Sequence, residues 1–375
     1  MIYADNAATT QMSEYVFEKM LPFVREEYGN PSSLYSLGVQ SKRAVERSRK
    51  QVAHAIGSEA SEIIFTSGGS EGNSWILLSI PTLFPSEKGH VITSAIEHHS
   101  ILNVCRELEK QGVDVSCLPV DTNGRVSVSN VESALRPNTK LVSIMTANNE
   151  IGTLQPIEQI GELLHSRNVL FHTDAVQAVG HIPIQVNDWN VDFLTASAHK
   201  FHGAKGAGFL YVRKGNPIPH YIFGGGQEQG KRAGTENVAG IVALGYALEE
   251  CVSMLNSEDQ RLRLLVKATI EGMRARIPAI RMNAEHTLRL PGIVNITFPG
   301  VPGEALMHLL DMKGICVSTS SACNSGNDAP SHVLLALGVS EQEAKMSIRI
   351  SYGRFNTMEE VQTIIDTFVN ICKKF

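Results

Sequence analysis

The stretch Thr195-Ala196-Ser197-Ala198-His199-Lys200, continued by Phe201-His202-Gly203-Ala204-Lys205-Gly206, sets the reading of the whole chain. Asp192-Phe193-Leu194-Thr195 leads into it as a buried strand. Phe209-Leu210-Tyr211-Val212 leaves it as another, with Gly206 and Gly208 on either side of Ala207. Upstream, Glu62–Thr66, His90–Thr93, Leu141–Met145 and Val169–His172 are further short apolar runs that read as strands. Helical patterns fall between them, such as Ser41–Ile56 stopped by Gly57 and Pro156–Arg167 with Pro156 near its first turn. Strand–helix alternation at this spacing predicts a mainly parallel α/β sheet with right-handed crossovers.

After Glu250 the texture changes. A polar helical pattern, Ser257–Arg276, leads into the alternating segment Gly292–Phe298, and the chain closes with a capping box, Thr357-x-x-Glu360. That box opens a helix with Val361, Ile364, Ile365, Phe368 and Val369 on one face. We expect a large α/β domain over residues 13–252 and a smaller α+β domain over 253–375, with residues 1–12 packing on the smaller one. Two domains also suit a chain of 375 residues.

Composition narrows the function. With 43% hydrophobic and 19% charged residues the chain is that of a globular protein. A net charge of −5 and the lack of a Lys/Arg run argue against direct nucleic-acid binding. The N-terminus has neither a basic nor an apolar signal region, and the apolar stretch Val238–Leu248 is too short to span a bilayer, so a cytoplasmic protein without membrane contact is expected. The cysteines (105, 117, 251, 316, 323 and 372) form no C-x-x-C pair, which disfavours a disulfide framework or zinc finger.

The chemistry-bearing residues follow strands, where open α/β sheets bind ligands. Lys200 is placed to act as a Schiff-base nucleophile; taken alone, it reads first as a surface lysine after a strand. Asp174 and Gln177 follow Phe171-His172, and a carboxylate there can protonate a pyridine nitrogen or simply cap a helix. Thr66-Ser67-Gly68-Gly69-Ser70-Glu71-Gly72-Asn73 opens a helix after a strand. It is an anion-binding turn or a plain glycine-rich one, but it matches neither a dinucleotide nor a P-loop fingerprint. In Ala95-Ile96-Glu97-His98-His99-Ser100, His98 can stack on a cofactor ring and move protons. Metal binding by His98, His99, His172, His199 and His202 lacks a ligand motif, and no metal site is expected. Val317–Asp328 has no strand or helix period and reads as an exposed, mobile loop. Its Cys323 is a nucleophile or a tolerated surface thiol.

Taken in order, these motifs resemble the cysteine desulfurases of the class V aminotransferase family, fold-type I pyridoxal-phosphate enzymes. The resemblance spans Tyr3–Thr10, Gly29-Asn30-Pro31-Ser32-Ser33, Ser197-x-His199-Lys200, Arg232-Ala233-Gly234-Thr235, Ser321-Ala322-Cys323 and Ile348-Arg349-Ile350-Ser351. It implies pyridoxal 5′-phosphate on Lys200, Asp174 at the pyridinium nitrogen, Gln177 and Asn149 near the phenolic oxygen, and His98 on the ring. Gly69, Ser70, Ser197 and His199 are implied to hold the phosphate, and Thr235 to reach the phosphate of a neighbouring subunit, so a homodimer is expected. Arg349, helped by Asn30, is implied to bind the α-carboxylate of L-cysteine, and Cys323 to receive its sulfur. Ser70 stands where threonine is common and Ser320 where glycine is frequent; neither removes a functional group.

The implied reaction gives alanine and a persulfide on Cys323, with Lys200 or His98 removing the α-proton and a sulfur-acceptor protein, such as an iron–sulfur scaffold, taking the sulfur. Rival readings are a selenocysteine lyase, an aminotransferase of the same family, or a catalytically silent sulfur-relay protein.

Overall fold

The computed structural model describes residues 1–85, 88–319 and 329–375. Among them a large sheet takes seven strands: β1 (Ile63–Thr66), β2 (His90–Ser94), β3 (Asp114–Leu118), β4 (Thr139–Ser143), β5 (Leu170–Asp174), β6 (Phe193–Ser197) and β7 (Gly208–Val212). Their spatial order is β1-β7-β6-β5-β4-β2-β3, and β6 through β3 run parallel. Only β7 is antiparallel to its neighbours, so β1, on its far side, points the same way as β6. The predicted mainly parallel α/β fold is present, and the strands carry continuous buried runs, as a sheet covered on both faces requires. Strand β3 was not anticipated; it is half-exposed at the sheet edge, and Cys117 faces solvent there.

The helices follow from local signals. α1 (Glu14–Arg25) starts at Ser13, whose hydroxyl accepts the Val16 N–H. α2 (Ser36–Ile56) stops at Gly57, where φ is 72° and only glycine is unstrained. α3 (Gly69–Leu78) and α4 (His99–Lys110) leave β1 and β2, and α5 (Ile157–Ser166) precedes β5. The apolar stretch from Val238 and the polar pattern ending at Arg276 are one helix, α6 (Val238–Arg276), of 39 residues. The change of texture after Glu250 falls inside this helix. By length and composition α6 therefore reaches what a membrane-crossing helix needs, while half of its apolar window is buried inside the protein. Its first half packs on α1 and α2 and its second half on the C-terminal helix.

A second sheet, β8 (Arg281–Met282), β9 (Ile293–Thr297), β10 (Ser318–Thr319) and β11 (Ser347–Ser351), is antiparallel in the order β10-β11-β9-β8. Ser318 and Thr319 thus pair with Arg349 and Ile348, which corrects their assignment to a loop without regular structure; the strand is too short to show a period. Residues 320–328, with Cys323, lie outside the described residues. α7 (His332–Ala336) follows, and α8 (Met358–Cys372) begins with both halves of the capping box formed and its predicted face buried.

Among the described residues, four apolar clusters result, two of them large. The larger lies on the parallel sheet and takes in Ala7 and Cys251; the smaller runs from Leu262 through β9 and β11 to α8 and takes in Ala4. Ile2–Tyr3 pairs in parallel with Ile315–Cys316, so the first residues bridge the two.

Candidate active site

Strands β1, β2, β4, β5 and β6 end on one edge of the large sheet, and β7 begins there. β2 lies between β3 and β4, so the chain leaves it first to one side and later returns on the other; side chains after such strands meet over a crevice. A cavity of about 630 Å³ occupies this edge. It is lined by Lys200, Asp174, Gln177, His98 and Asn149, by Gly69, Ser70, Ser197 and His199, and by Arg349 from the second sheet.

Lys200 ends a single 3₁₀ turn after β6, anchored by the buried Phe201. Its Nζ donates to the carbonyls of Ala7 and Ala8, both at 2.7 Å. Gln177 Nε2 also donates to Ala7 O, at 2.9 Å, and Thr10 clamps the same turn through its N–H and hydroxyl on His199 O. Asp174, the last residue of β5, accepts the Val176 N–H on Oδ1 and the Asn73 Nδ2–H on Oδ2 at 2.7 Å. Residues 176–180 form turns and no helix opens directly after Asp174, so it caps none; it faces the cavity.

Between β1 and α3 the chain turns at Gly68, with φ of 151°, which excludes other residues without strain. A Cβ on Gly69 would sit 2.5 Å from Val176 Cγ2, so the helix N-terminus packs directly on the Asp174 segment. The first N–H groups of α3 and the positive end of its dipole are thereby presented to the cavity. Glu71 would oppose an anion, but it is turned back. It accepts the Ser67 N–H and two bonds from Arg232, at 2.8 and 3.1 Å. Burial pushes the Glu71 carboxyl up, yet those donors outweigh it and hold it below its ordinary value. Burial and the charges of Lys200 and Lys205 push His199 down to about 4, so it meets an anion as a neutral donor.

His98 caps α4, with Nδ1 accepting the Ser100 N–H at 3.2 Å. Burial and the Lys200 and His99 charges lower its pKa against the opposing pull of Asp174, leaving a neutral imidazole. Arg349 is 4% exposed: Nη2 pairs with Asp5 Oδ1 at 2.7 Å, Nη1 donates to Asn149 O at 3.0 Å, and the buried Nε–H has no partner.

Three predicted residues lie elsewhere. Asn30 is exposed and accepts the Ser32 N–H, outside the cavity lining. Thr235 lines an adjoining cavity of about 180 Å³ that shares Ser67 and Gly206 with the first. Cys323 falls outside the described residues. Another space of about 670 Å³, between Lys42, Arg49 and Glu236, shares no residue with the strand-end cavity. Its Arg49–Glu228 ion pair is already closed, at 2.8 Å.

Residues 2–364 match the family described as aminotransferase class-V. The chain belongs to that family. The "Cysteine desulfurase IscS" of Clostridium botulinum (strain Hall) is 48% identical over 375 residues, covering 100% of this chain and 94% of that protein. A solved structure titled "NIFS-LIKE PROTEIN" superposes with a TM-score of 0.94 at 38% identity, covering both chains fully (100% each). Another, "SspA in complex with cysteine", reaches 0.82 at 35% identity over 95% of this chain and 100% of that one.

Class-V aminotransferases related to the cysteine desulfurases work with pyridoxal phosphate, and the cavity fits that group. Asp174 faces the cavity beside Asn73 Oδ1, a fully buried acceptor, and the Arg349 Nε–H is a buried donor; among the described residues neither has a partner. Such orphans suit a polar occupant between them. The sequence reading assigned no role to Asp5, Glu71 or Asn73. Glu71 and Asn73 stood inside the quoted glycine-rich tract, where i, i+4 spacing from Gly69 places Asn73 on one helix face with it. Asp5 stood inside the Tyr3–Thr10 motif, but its partner is far away in the chain.

Among the described residues, no three His, Cys, Asp or Glu side chains are grouped to hold a metal ion. His172 is instead fully buried between Ser143 and Thr195, and burial pushes it down to about 3.

Proposed function

We propose that this protein is a pyridoxal-phosphate-dependent cysteine desulfurase that converts L-cysteine to L-alanine and leaves the sulfur as a persulfide on Cys323. The observation that carries this reading is the meeting, in one cavity, of a strand-end lysine and aspartate with a buried arginine whose Nε–H is unspent. The family and its cysteine desulfurase members support it further.

Lys200 would carry the cofactor, Asp174 would hold its ring nitrogen protonated, and the α3 N-terminus with Ser70, Ser197 and His199 would hold its phosphate. When bound, the cofactor supplies an electron sink for the charge left at the substrate α-carbon. The remaining work belongs to side chains. Arg349, held by Asp5 and Asn149 O, offers a rigid fork to the substrate carboxylate. Lys200, once released from the cofactor, is the amine that takes the α-proton. The Cys323 thiolate forms a bond to the substrate sulfur as the substrate Cβ–S bond breaks, and the three-carbon remainder takes up one proton at Cβ and regains one at Cα to leave as alanine. No outside oxidant is needed, because the sulfur passes from carbon to the Cys323 thiol.

The persulfide then serves an acceptor protein, such as an iron–sulfur scaffold, in the cytoplasm. The same reading divides the chain at residues 252/253, within α6. It also pairs two chains so that Thr235 of each reaches the other's phosphate site; the exposed Leu34, Tyr35 and Phe223 supply apolar surface for pairing. Alanine and sulfide release from cysteine is expected from the wild type and not from Cys323→Ser, with the persulfide trapped by alkylation and seen by mass spectrometry. Undiminished sulfur release by Cys323→Ser refutes the mechanism.

A further inference from the structure

A hydrogen-bonded chain joins Asp174 to His98 through two residues so far without a role. Asn73 Nδ2 donates both to Asp174 Oδ2, at 2.7 Å, and to Ser100 Oγ, at 2.8 Å. Ser100 Oγ lies 2.8 Å from His98 Nδ1, and the Ser100 backbone N–H reaches the same nitrogen at 3.2 Å.

The directions of these bonds are forced. Turning the Asn73 amide over would set its oxygen against the Asp174 carboxylate, acceptor against acceptor, so the carboxylate fixes the amide. The Ser100 oxygen therefore receives a proton from Asn73 and spends its own on His98. A backbone N–H can only donate. Both groups that reach Nδ1 are donors, so Nδ1 is unprotonated, and in the neutral ring the proton sits on Nε2.

We propose that Asn73 and Ser100 are positioning residues that carry the orientation of Asp174 to His98 and lock its imidazole as the Nε2–H tautomer. Two consequences follow. The groups expected at the cofactor ring's nitrogen and on its face are set by one network rather than two. A neutral His98 locked in this way offers a proton at Nε2 and has no basic nitrogen facing the cavity, so it acts as donor, while Lys200 alone is the base. Asn73 is fully buried and Asp174 is 5% exposed, so water does not replace the bonds within the chain.

This inference rests on the desulfurase reading only for its catalytic consequence, and the test separates the two. Histidine-selective ¹⁵N labelling of the wild type, with and without cofactor, reads the protonation of each ring nitrogen; His98 is assigned by its loss in His98→Gln. We expect an unprotonated Nδ1 and a protonated Nε2 in both forms. Because the backbone N–H of residue 100 stays on Nδ1, Ser100→Ala and Asn73→Ala should shift the His98 signals only part of the way toward those of a ring exchanging between tautomers. With cysteine as substrate, kcat should fall about tenfold, the weight of one hydrogen bond, with KM unchanged and both readouts restored by Ser100→Thr.

A protonated Nδ1 in the wild type, or unmoved ring signals in Ser100→Ala, overturns the proposal. If Asn73→Ala fails to fold, Ser100→Ala and Ser100→Thr carry the same decision. Absence of cysteine turnover with the expected ring signals would instead sink the desulfurase reading and leave the positioning network standing.

Discussion

Replacing Glu97 by glutamine should make the protein progressively more stable than the wild type as pH rises. Glu97 is fully buried. Ser94 Oγ and the Met145 N–H both donate to Oε1, at 2.6 and 2.9 Å, while Oε2 has no partner. Burial, reinforced by the Asp174 charge and only partly offset by those two donors, pushes its carboxyl from 4.5 up to about 8. The native side chain thus stays protonated where the unfolded chain ionises, and the native state holds the extra proton. With fewer protons on the unfolded state, unfolding free energy falls as pH rises from 4.5 to about 8.

At about 1.4 kcal/mol per pK unit, the wild type should lose roughly 3 to 4 kcal/mol between pH 5 and pH 8 through this residue. Glutamine keeps the oxygen that Ser94 and Met145 use and never ionises, so the loss should vanish. Unfolding entropies of about 2.1 cal/mol/K per residue, over 375 residues, convert it to a Tm difference growing by roughly 4 to 5 °C. The assay is the Tm of both proteins from pH 5 to 8.5, read as a difference. The lowered histidines, His172 near 3 and His199 and His202 near 4, remove stability as pH falls below their ordinary 6.5, but they are common to both proteins and cancel. Parallel Tm profiles, or a variant that loses ground as pH rises, would refute the reasoning.

Arg349→Lys keeps the charge but loses the fork, including the unspent Nε–H. Loss of a charge-assisted bond of about 2–3 kcal/mol should raise KM for cysteine roughly 30- to 160-fold in steady-state assays, with a smaller change in kcat. Gly68→Ala forces a side chain into φ of 151° with its Cβ 3.2 Å from Ser197 Oγ. A strain of about 1–3 kcal/mol should weaken cofactor retention, read by visible absorbance after dialysis. Thr357→Ala removes one half of the α8 capping box; it should cost about 1 kcal/mol and lower Tm by about 1 °C, with turnover unchanged.

Much of the fold was legible because its signals are local. The buried strands announce themselves as short apolar runs, Gly57 stops α2 within a residue, and Thr357 and Glu360 mark α8 from three positions apart. Errors arose where local patterns mislead. The change of texture after Glu250 marks no break, since one helix passes there from a buried setting to a more exposed one. Ser318 and Thr319 have no strand pattern, and their pairing is imposed by β11. At the site, Lys200 and Asp174 stood out because one follows an apolar strand and the other ends one. Asp5 could not be matched to Arg349, since no periodicity links residues 344 apart, and Ser100 joins Asn73 only once α3 and α4 stand side by side.

The first ten residues hold groups made much later. Ala7 and Ala8 receive Lys200, Thr10 the turn before it, and Asp5 receives Arg349 near the other end of the chain. During synthesis this segment leaves the ribosome 193 residues before Lys200 and 344 before Arg349, and waits until they follow. Lys200 and Arg349 are therefore not fixed in a nascent chain, however well the parallel sheet has formed. A product truncated before Arg349 can carry much of this fold without that pairing.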